Sequence, residues 1–259
     1  MIKDEIFRYS AIVWTRTLSA LKNESNRSYL GYVWFLIEPV INTAILYLVF
    51  GVIVNTRGPD YVLFLLIGLT VWQWFDAGIT EGMNGIKAKL HILNQIPLPK
   101  HMFPTVQVLI VTLKFLFAYL IVFLISFLFN SEITWSFINI FLLIAIQFIL
   151  ILGVSLPLSV LAAYSDDIPR LINSAIRLLF FVTGIFFSAA QLPETVKPFF
   201  YLNPMAGLIE AHRAIIIEKA SPSYGLMLYA LLFGLFFHVI GLFLCQKVDK
   251  KILKSIVQP

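Results

Sequence analysis

Apolar residues in this chain are gathered into blocks rather than alternated with polar ones. Four stretches, 115–131, 133–165, 178–193 and 220–246, contain no Asp, Glu, Lys or Arg. Each approaches or exceeds the roughly 20 residues a helix needs to cross a hydrocarbon core. Short polar breaks punctuate the blocks: Asn55 to Asp60, Pro97 to Lys100, Asn130 to Glu132 and Ser165 to Arg170. The pattern predicts an all-α integral membrane protein of about six transmembrane helices, near 33–54, 61–80, 105–129, 137–163, 171–190 and 225–246. Residues 1–27 hold no apolar core ahead of a small-residue cleavage site, so the first apolar run is expected to remain as a span.

Three polar segments are more than connectors. In 2–22, Ile2, Ile6, Tyr9, Val13, Leu18 and Leu21 recur at helical spacing, with Lys3, Asp4, Arg16 and Lys22 elsewhere around the wheel. This predicts an amphipathic helix along the membrane surface, as an anchor or as a mechanical element. In 82–100, Ile86, Leu90 and Leu93 stand at i, i+4 and i+7 beside Lys87, Lys89 and His91. Such a helix can seat its ridge in a groove of a partner protein or lie on lipid. In 191–224, Asn203-Pro204 reads as a helix start, Asn as cap and Pro in the first turn. A second short helix fits Pro193 to Tyr201. Two short helices between spans suggest a re-entrant external hairpin, allowed only where it is buried in protein or lines a wet cavity; an external cap is the alternative.

Charge then sets the orientation. Of the 19 cations, 13 fall on the side carrying both termini, four (Arg57, Lys197, Arg213, Lys219) on the other, and Lys114 and Arg177 inside spans. Both termini are therefore expected in the cytoplasm, and the net charge of +5 is a topology signal that calls for no nucleic acid. Composition agrees: 59% of residues are hydrophobic and 13% charged, about half the charge of a soluble domain. The organisation expected is one membrane domain over 1–259. An interface helix occupies 1–27, spans one to five 33–190, external helices 191–224, span six 225–246 and a cytoplasmic tail 247–259.

Candidate chemistry is sparse. No Gly-x-x-x-x-Gly-Lys-[Ser/Thr] loop is present to cradle a nucleotide, and no His-Glu-x-x-His. The histidines (91, 101, 212, 238) are scattered, and the single cysteine, Cys245, excludes an internal disulfide. No catalytic residue and no metal site is expected. The intramembrane charges are Glu38, Asp76, Glu81, Lys114 and Arg177, too few for the acidic relay of an ion-coupled carrier. A membrane enzyme would want a cluster of acids or histidines at one interface. At about 100° per residue, Tyr29, Tyr32, Tyr47 and Phe50 share a sector of about 60° on the first span. That stripe is either an interfacial belt or an aromatic track suited to sugar rings; of Trp72 and Trp74 on the second span, at most one can share such a path.

Arg27-Ser-Tyr-Leu-Gly-Tyr-Val-Trp-Phe-Leu-Ile-Glu-Pro39 leads into the first span, and Gly68-Leu-Thr-Val-Trp-Gln-Trp-Phe75 lies in the second. The stretch Asn94 to Pro104 and the later Asn203-Pro-Met-Ala-Gly-Leu-Ile-Glu-Ala-His-Arg213 follow. In this order the stretches resemble bacterial ABC-type polysaccharide export permeases over essentially the whole chain. The resemblance implies a multi-pass transport subunit of the bacterial cytoplasmic (inner) membrane that performs no covalent chemistry. It implies a homodimer paired with two copies of a separate ATPase, which would bind the ATP and Mg that this chain does not. Residues 84–95, with Ile86, Lys87, Leu90 and Leu93, take the place of the coupling helix. Residues 193–219, with Asn203, Pro204, Glu210 and Arg213, take that of the external gate helices. The substrate class implied is O-antigen, capsule or teichoic-acid chains on a lipid carrier, with membrane lipids around. Efflux of a small amphipathic compound and ion-coupled carriage are the competing expectations.

Overall fold

The computed structural model describes residues 2–26, 29, 31–49, 61–89, 99–129 and 135–247. Nine α-helices occur among them, and no strand. They are α1 (Ile2–Asn26), α2 (Trp34–Tyr47), α3 (Tyr61–Asn84), α4 (Met102–Phe129) and α5 (Ile138–Tyr164), then α6 (Asp167–Val182), α7 (Lys197–Tyr201), α8 (Pro204–Ile216) and α9 (Tyr224–Lys247). Four helical stretches are long and apolar enough to cross a membrane: Tyr61–Asn84, Met102–Phe127, Trp135–Tyr164 and Tyr224–Lys247. They coincide with the expected second, third, fourth and sixth spans.

Of the other two expected spans, the first is helical through its described part, with α2 covering 14 positions, and its expected continuation from 50 to 54 lies outside the described residues. The fifth span, expected over 171–190, is a 16-residue helix that starts at Asp167 and stops at Val182. At about 1.5 Å per residue it is roughly 24 Å long, short of the hydrocarbon thickness. It stops because Gly184 takes φ +81°, a left-handed conformation open to glycine and costly for other residues.

The bundle is organised around α3. Two thirds of its apolar stretch, 67%, is buried, against 22% for α9. Helix α3 packs against α4 and α5 and also meets α2, α6 and α8, whereas α9 lies mainly along α5. Outward-facing residues such as Leu120, Leu124, Phe141, Leu178, Leu232, Phe236 and Val239 are large and exposed. An exterior of this kind suits lipid, because helices satisfy their backbone polar groups internally.

Small residues set the helix spacing, as expected where lipid supplies no hydrophobic drive between helices. Helices α5 and α9 touch at their backbones: a Cβ on Gly153 would fall 2.0 Å from the Gly234 carbonyl oxygen, and one on Gly234 2.7 Å from the Leu150 Cα. Pro157 lies inside α5, where its ring faces the carbonyl four residues back, that of Gly153. Gly82 of α3 abuts Ser155 of α5 in the same way, at 2.7 Å.

Helix α1 runs four residues beyond its expected end and packs against α4. Its buried face is Thr17 and Leu21, while Leu18, assigned to the apolar face from sequence, is exposed. Spacing of four from Val13 through Thr17 to Leu21 keeps those residues aligned, and Leu18 falls a further 100° away. The Thr17 hydroxyl donates to the Val13 carbonyl at 2.8 Å, so its polarity is satisfied inside an apolar contact.

These contacts predict that Gly153→Val lowers stability by about 1–3 kcal/mol through overpacking. Gly225→Ala, where an added Cβ meets nothing within 4 Å, should be neutral. Thermal unfolding in detergent compares the two; an unchanged midpoint for Gly153→Val would refute the close α5–α9 contact.

Candidate functional site

Beyond Gly184 the chain folds back through a 3-10 turn at Ala189–Gln191 and the short α7 before entering α8. Asn203 starts α8 as its cap: its Oδ1 accepts from the Met205 amide at 3.0 Å, and Pro204 fills the first helical position. The Asn203 amide also donates to the Thr183 hydroxyl at 2.7 Å, tying the start of α8 to the end of α6.

One turn apart on α8, Glu210 and Arg213 pin the returning chain. The Glu210 carboxylate accepts from the Ala189 amide and from the Tyr201 hydroxyl, each at 2.6 Å. Burial and that carboxylate together hold the Tyr201 phenol well above its ordinary range. Arg213 is buried, 3% exposed. Its guanidinium donates to the carbonyls of Gly184 (2.7 Å), Ile185 (2.8 Å) and Phe64 (3.2 Å) and lies 3.4 Å above the Phe64 ring. The carbonyls at the broken end of α6 and near the start of α3 are thus satisfied by one side chain. Nearby, the Tyr61 hydroxyl donates to the Phe186 carbonyl at 3.3 Å. Also on α8, His212 is fully buried, its Nδ1 2.5 Å from the Tyr119 hydroxyl of α4.

A second polar region runs along α3. Thr70, Gln73, Asp76, Ala77, Thr80 and Glu81 border one cavity of about 400 Å³ between α3 and α4, opposite Lys114. Steps of three and four residues put these positions on one face. Gln73 and Asp76 also border a second cavity, of about 490 Å³, between α2, α3 and α6. Glu81 and Lys114 reach a third, of about 460 Å³, against α1. The Lys114 ammonium pairs with Glu24 of α1 at 2.5 Å. The Thr80 hydroxyl has two acceptors, Asn173 at 3.2 Å and Asp76 at 3.4 Å, so α3 and α6 compete for one proton.

The family model for the ABC-2 type transporter matches residues 11–217, from within α1 to the residue after α8. The chain belongs to the ABC-2 type transporter family. Over 229 residues, 88% of either chain, it is 28% identical to the O-antigen export system permease protein RfbA of Klebsiella pneumoniae. Over 220 residues, 84% of this chain and 85% of the relative, it is 22% identical to the protein of the same name in Myxococcus xanthus. It is 26% identical over 246 residues, 92% of this chain and 93% of the relative, to the polysialic acid transport protein KpsM of Escherichia coli.

Within this ABC-2 transporter the residues singled out from sequence fall unevenly. Asn203, Pro204, Glu210 and Arg213 come together as one hydrogen-bonded assembly. Tyr29 is fully exposed, and Phe50 and the side chains of Tyr32 and Tyr47 lie outside the described residues. Trp74 stacks on Phe115 with ring centres 4.0 Å apart, its indole N–H donates to Thr112 at 3.1 Å, and it borders the α3–α4 cavity. Trp72 leans on Phe180 at 6.1 Å and borders the α2–α3–α6 cavity.

The expected docking ridge is not a single exposed face. Ile86 is 3% exposed and packs in a cluster with Leu156, Val160 and Cys245. Helix α3 ends at Asn84, and Ile86 lies in the turn between that end and a 3-10 turn, Lys87–Lys89. Leu90 and Leu93 lie outside the described residues. Lys87 reaches across to Asp166 in the connection between α5 and α6, and that hydrogen bond holds the Asp166 carboxyl below the usual range.

Sequence reasoning missed Gln73, Thr80, Asn173 and the Tyr119–His212 pair, none of which carries a local motif; the hydrogen-bond partners of the last four lie on other helices or a turn away. Arg213→Lys should lower stability by about 2–3 kcal/mol, because an ammonium cannot span three carbonyls as the planar fork does. Glu210→Gln should cost less, since the amide oxygen still accepts. Unfolding midpoints of the purified variants order the two; equal effects would contradict the assembly.

Proposed function

We propose that this chain is the membrane subunit of an ATP-driven exporter that moves lipid-linked polysaccharide of the O-antigen or capsule type out of the cytoplasm. The observation that carries the proposal is near full-length similarity to two kinds of polysaccharide export permease, O-antigen and polysialic acid. The site agrees with it: α3 is a central helix with a polar face among apolar neighbours, and such groups inside a membrane protein mark a path or a substrate. ATP hydrolysis belongs to a separate partner subunit in this transporter family.

In this reading the chain works as a homodimer with two ATPase subunits, in a bacterial inner membrane, with both termini cytoplasmic. The whole chain forms one transport domain of six spans, α2 belonging to the first and α6 to the fifth. The turn at Lys87 and the Asp166 connection then face the ATPase. Residues 193–219 form the external gate, which Glu210 ties to the Ala189 turn and Arg213 to α3 and to the Gly184–Ile185 segment after α6. Motion of the ATPase would reach α3 through its C-terminal end and the gate through Phe64 at its other end.

Removing the chain from its host should abolish surface polysaccharide while the lipid-linked chain accumulates inside. Unchanged surface polysaccharide would reject the proposal. A second prediction concerns coupling. Lys87→Glu should lower export severalfold, and adding Asp166→Lys should restore much of it. Because the Asp166 carboxyl is depressed, its pairing with Lys87 survives acidification through the ordinary carboxylate range and is lost only as pH falls through the depressed value. Cell-surface glycan at matched protein levels checks the swap; no recovery in the double variant would separate Lys87 from Asp166.

A further inference from the structure

Gln73 and Asn42 are half-buried amides on facing helices, α3 and α2, at the wall of the same cavity of about 490 Å³. Neither side chain makes a hydrogen bond among the described residues. Asp76 and Arg177 border the same space. Arg177 lies exposed on α6, its guanidinium bonded to Ser174 at 3.0 Å, and enters no ion pair among the described residues. Trp72 and Phe180 supply aromatic surface to the cavity. Polar groups left without partners beside hydrocarbon carry a free-energy cost, so packing alone does not account for two amides with no hydrogen bond among the described residues, set in one cavity with a carboxylate and a guanidinium that face each other across it.

We propose that the cavity between α2, α3 and α6 is a saccharide subsite, in which one ring of the exported chain lies against Trp72 and Phe180 and presents its hydroxyls to Asn42, Gln73, Asp76 and Arg177. The inference rests on the export reading above and adds to it the residues that read the sugar. Each hydroxyl is at once donor and acceptor, and planar amide, carboxylate and guanidinium groups offer the matching acceptors and paired donors. Aromatic faces accept the C–H surface of the ring. The polar set carries one negative and one positive charge, which suits a neutral polyhydroxyl ligand; a phosphate would meet the Asp76 carboxylate as a repelling neighbour. Thr80, shared between Asp76 and Asn173, gives the Asp76 carboxylate a partner when the ring has left, so successive rings can enter and leave.

The test uses the assembled exporter, this chain with its partner ATPase, in lipid nanodiscs. The probe is lipid-linked glycan extracted from a host strain lacking the exporter, and the readout is the glycan concentration that half-saturates ATPase stimulation. Gln73→Leu and Asn42→Leu should each raise that concentration roughly tenfold, the loss of one or two hydrogen bonds, and Gly225→Ala should leave it at the parent value. Arg177→Leu changes an exposed residue, so it should assemble even where leucine at Gln73 does not; a severalfold rise is expected, and no rise counts against the subsite. If glycan stimulates the parent and every variant saturates where the parent does, the subsite alone is overturned. If glycan does not stimulate the parent exporter, the export reading fails and the subsite with it. If the sugar-free polyprenyl phosphate carrier saturates as well as the glycan and is weakened equally by the variants, the cavity reads phosphate and the saccharide assignment is overturned.

Discussion

The Arg213 guanidinium, set over the Phe64 ring and donating to the carbonyls of Phe64, Gly184 and Ile185, is the contact on which the arrangement of the later helices depends. A helix that stops early in an apolar surrounding leaves carbonyls with no water to take them. Helix α6 stops early, and Arg213 donates to the Gly184 and Ile185 carbonyls just beyond its end from α8, which the chain reaches only after folding back through the turn at Ala189–Gln191. Five guanidinium protons in a fixed plane can serve several carbonyls at once. The same residue therefore holds the segment that follows α6, seats α8 and touches the N-terminal part of α3.

Helix α3 is where this region meets the rest of the bundle. Its start carries Tyr61 and Phe64, which hold the returning segment. Its middle carries Gln73 and Asp76 between two cavities. Its end carries Gly82 against Ser155 and leads into Lys87, which bonds Asp166. Movement of α3 along its axis would strain all three levels together, because close-packed contacts such as Gly82–Ser155 have little slack. This helix is thus the element most able to link the proposed ATPase face with the proposed gate.

Long apolar blocks made four spans readable from sequence to within a few residues, since length and hydropathy decide them. Asn203-Pro204 was readable too, because a cap acts locally. The early end of α6 was not: residues 178–193 hold no charge, and the break depends on Gly184 and on an arginine distant in sequence. Ile86 was read as part of an exposed ridge, but α3 ends at Asn84 and Ile86 packs onto Leu156 and Val160, a contact that spacing along the chain does not encode. Gln73 and Asn42 were invisible as a pair, being single amides on different helices that only packing brings to one cavity.

The distribution of charge across the fold has a mechanical consequence. Glu210 and Arg213 commit their hydrogen bonds to backbone and to Tyr201, within the chain. Lys114 is committed to Glu24, and Lys87 to Asp166. Among the described residues Arg177 hydrogen-bonds a serine hydroxyl and enters no ion pair, with the Asp76 charge across the cavity. Charges that brace the structure are therefore paired, among the described residues, at the ends of the bundle and at the α1–α4 contact, while the amides of Gln73 and Asn42 beside the α2–α3–α6 cavity are left without hydrogen bonds. A transporter of long polar chains needs that division: a ligand can exchange hydrogen bonds only with groups that the fold does not already use, and a brace that a ligand could capture would loosen the helices whenever the path was occupied.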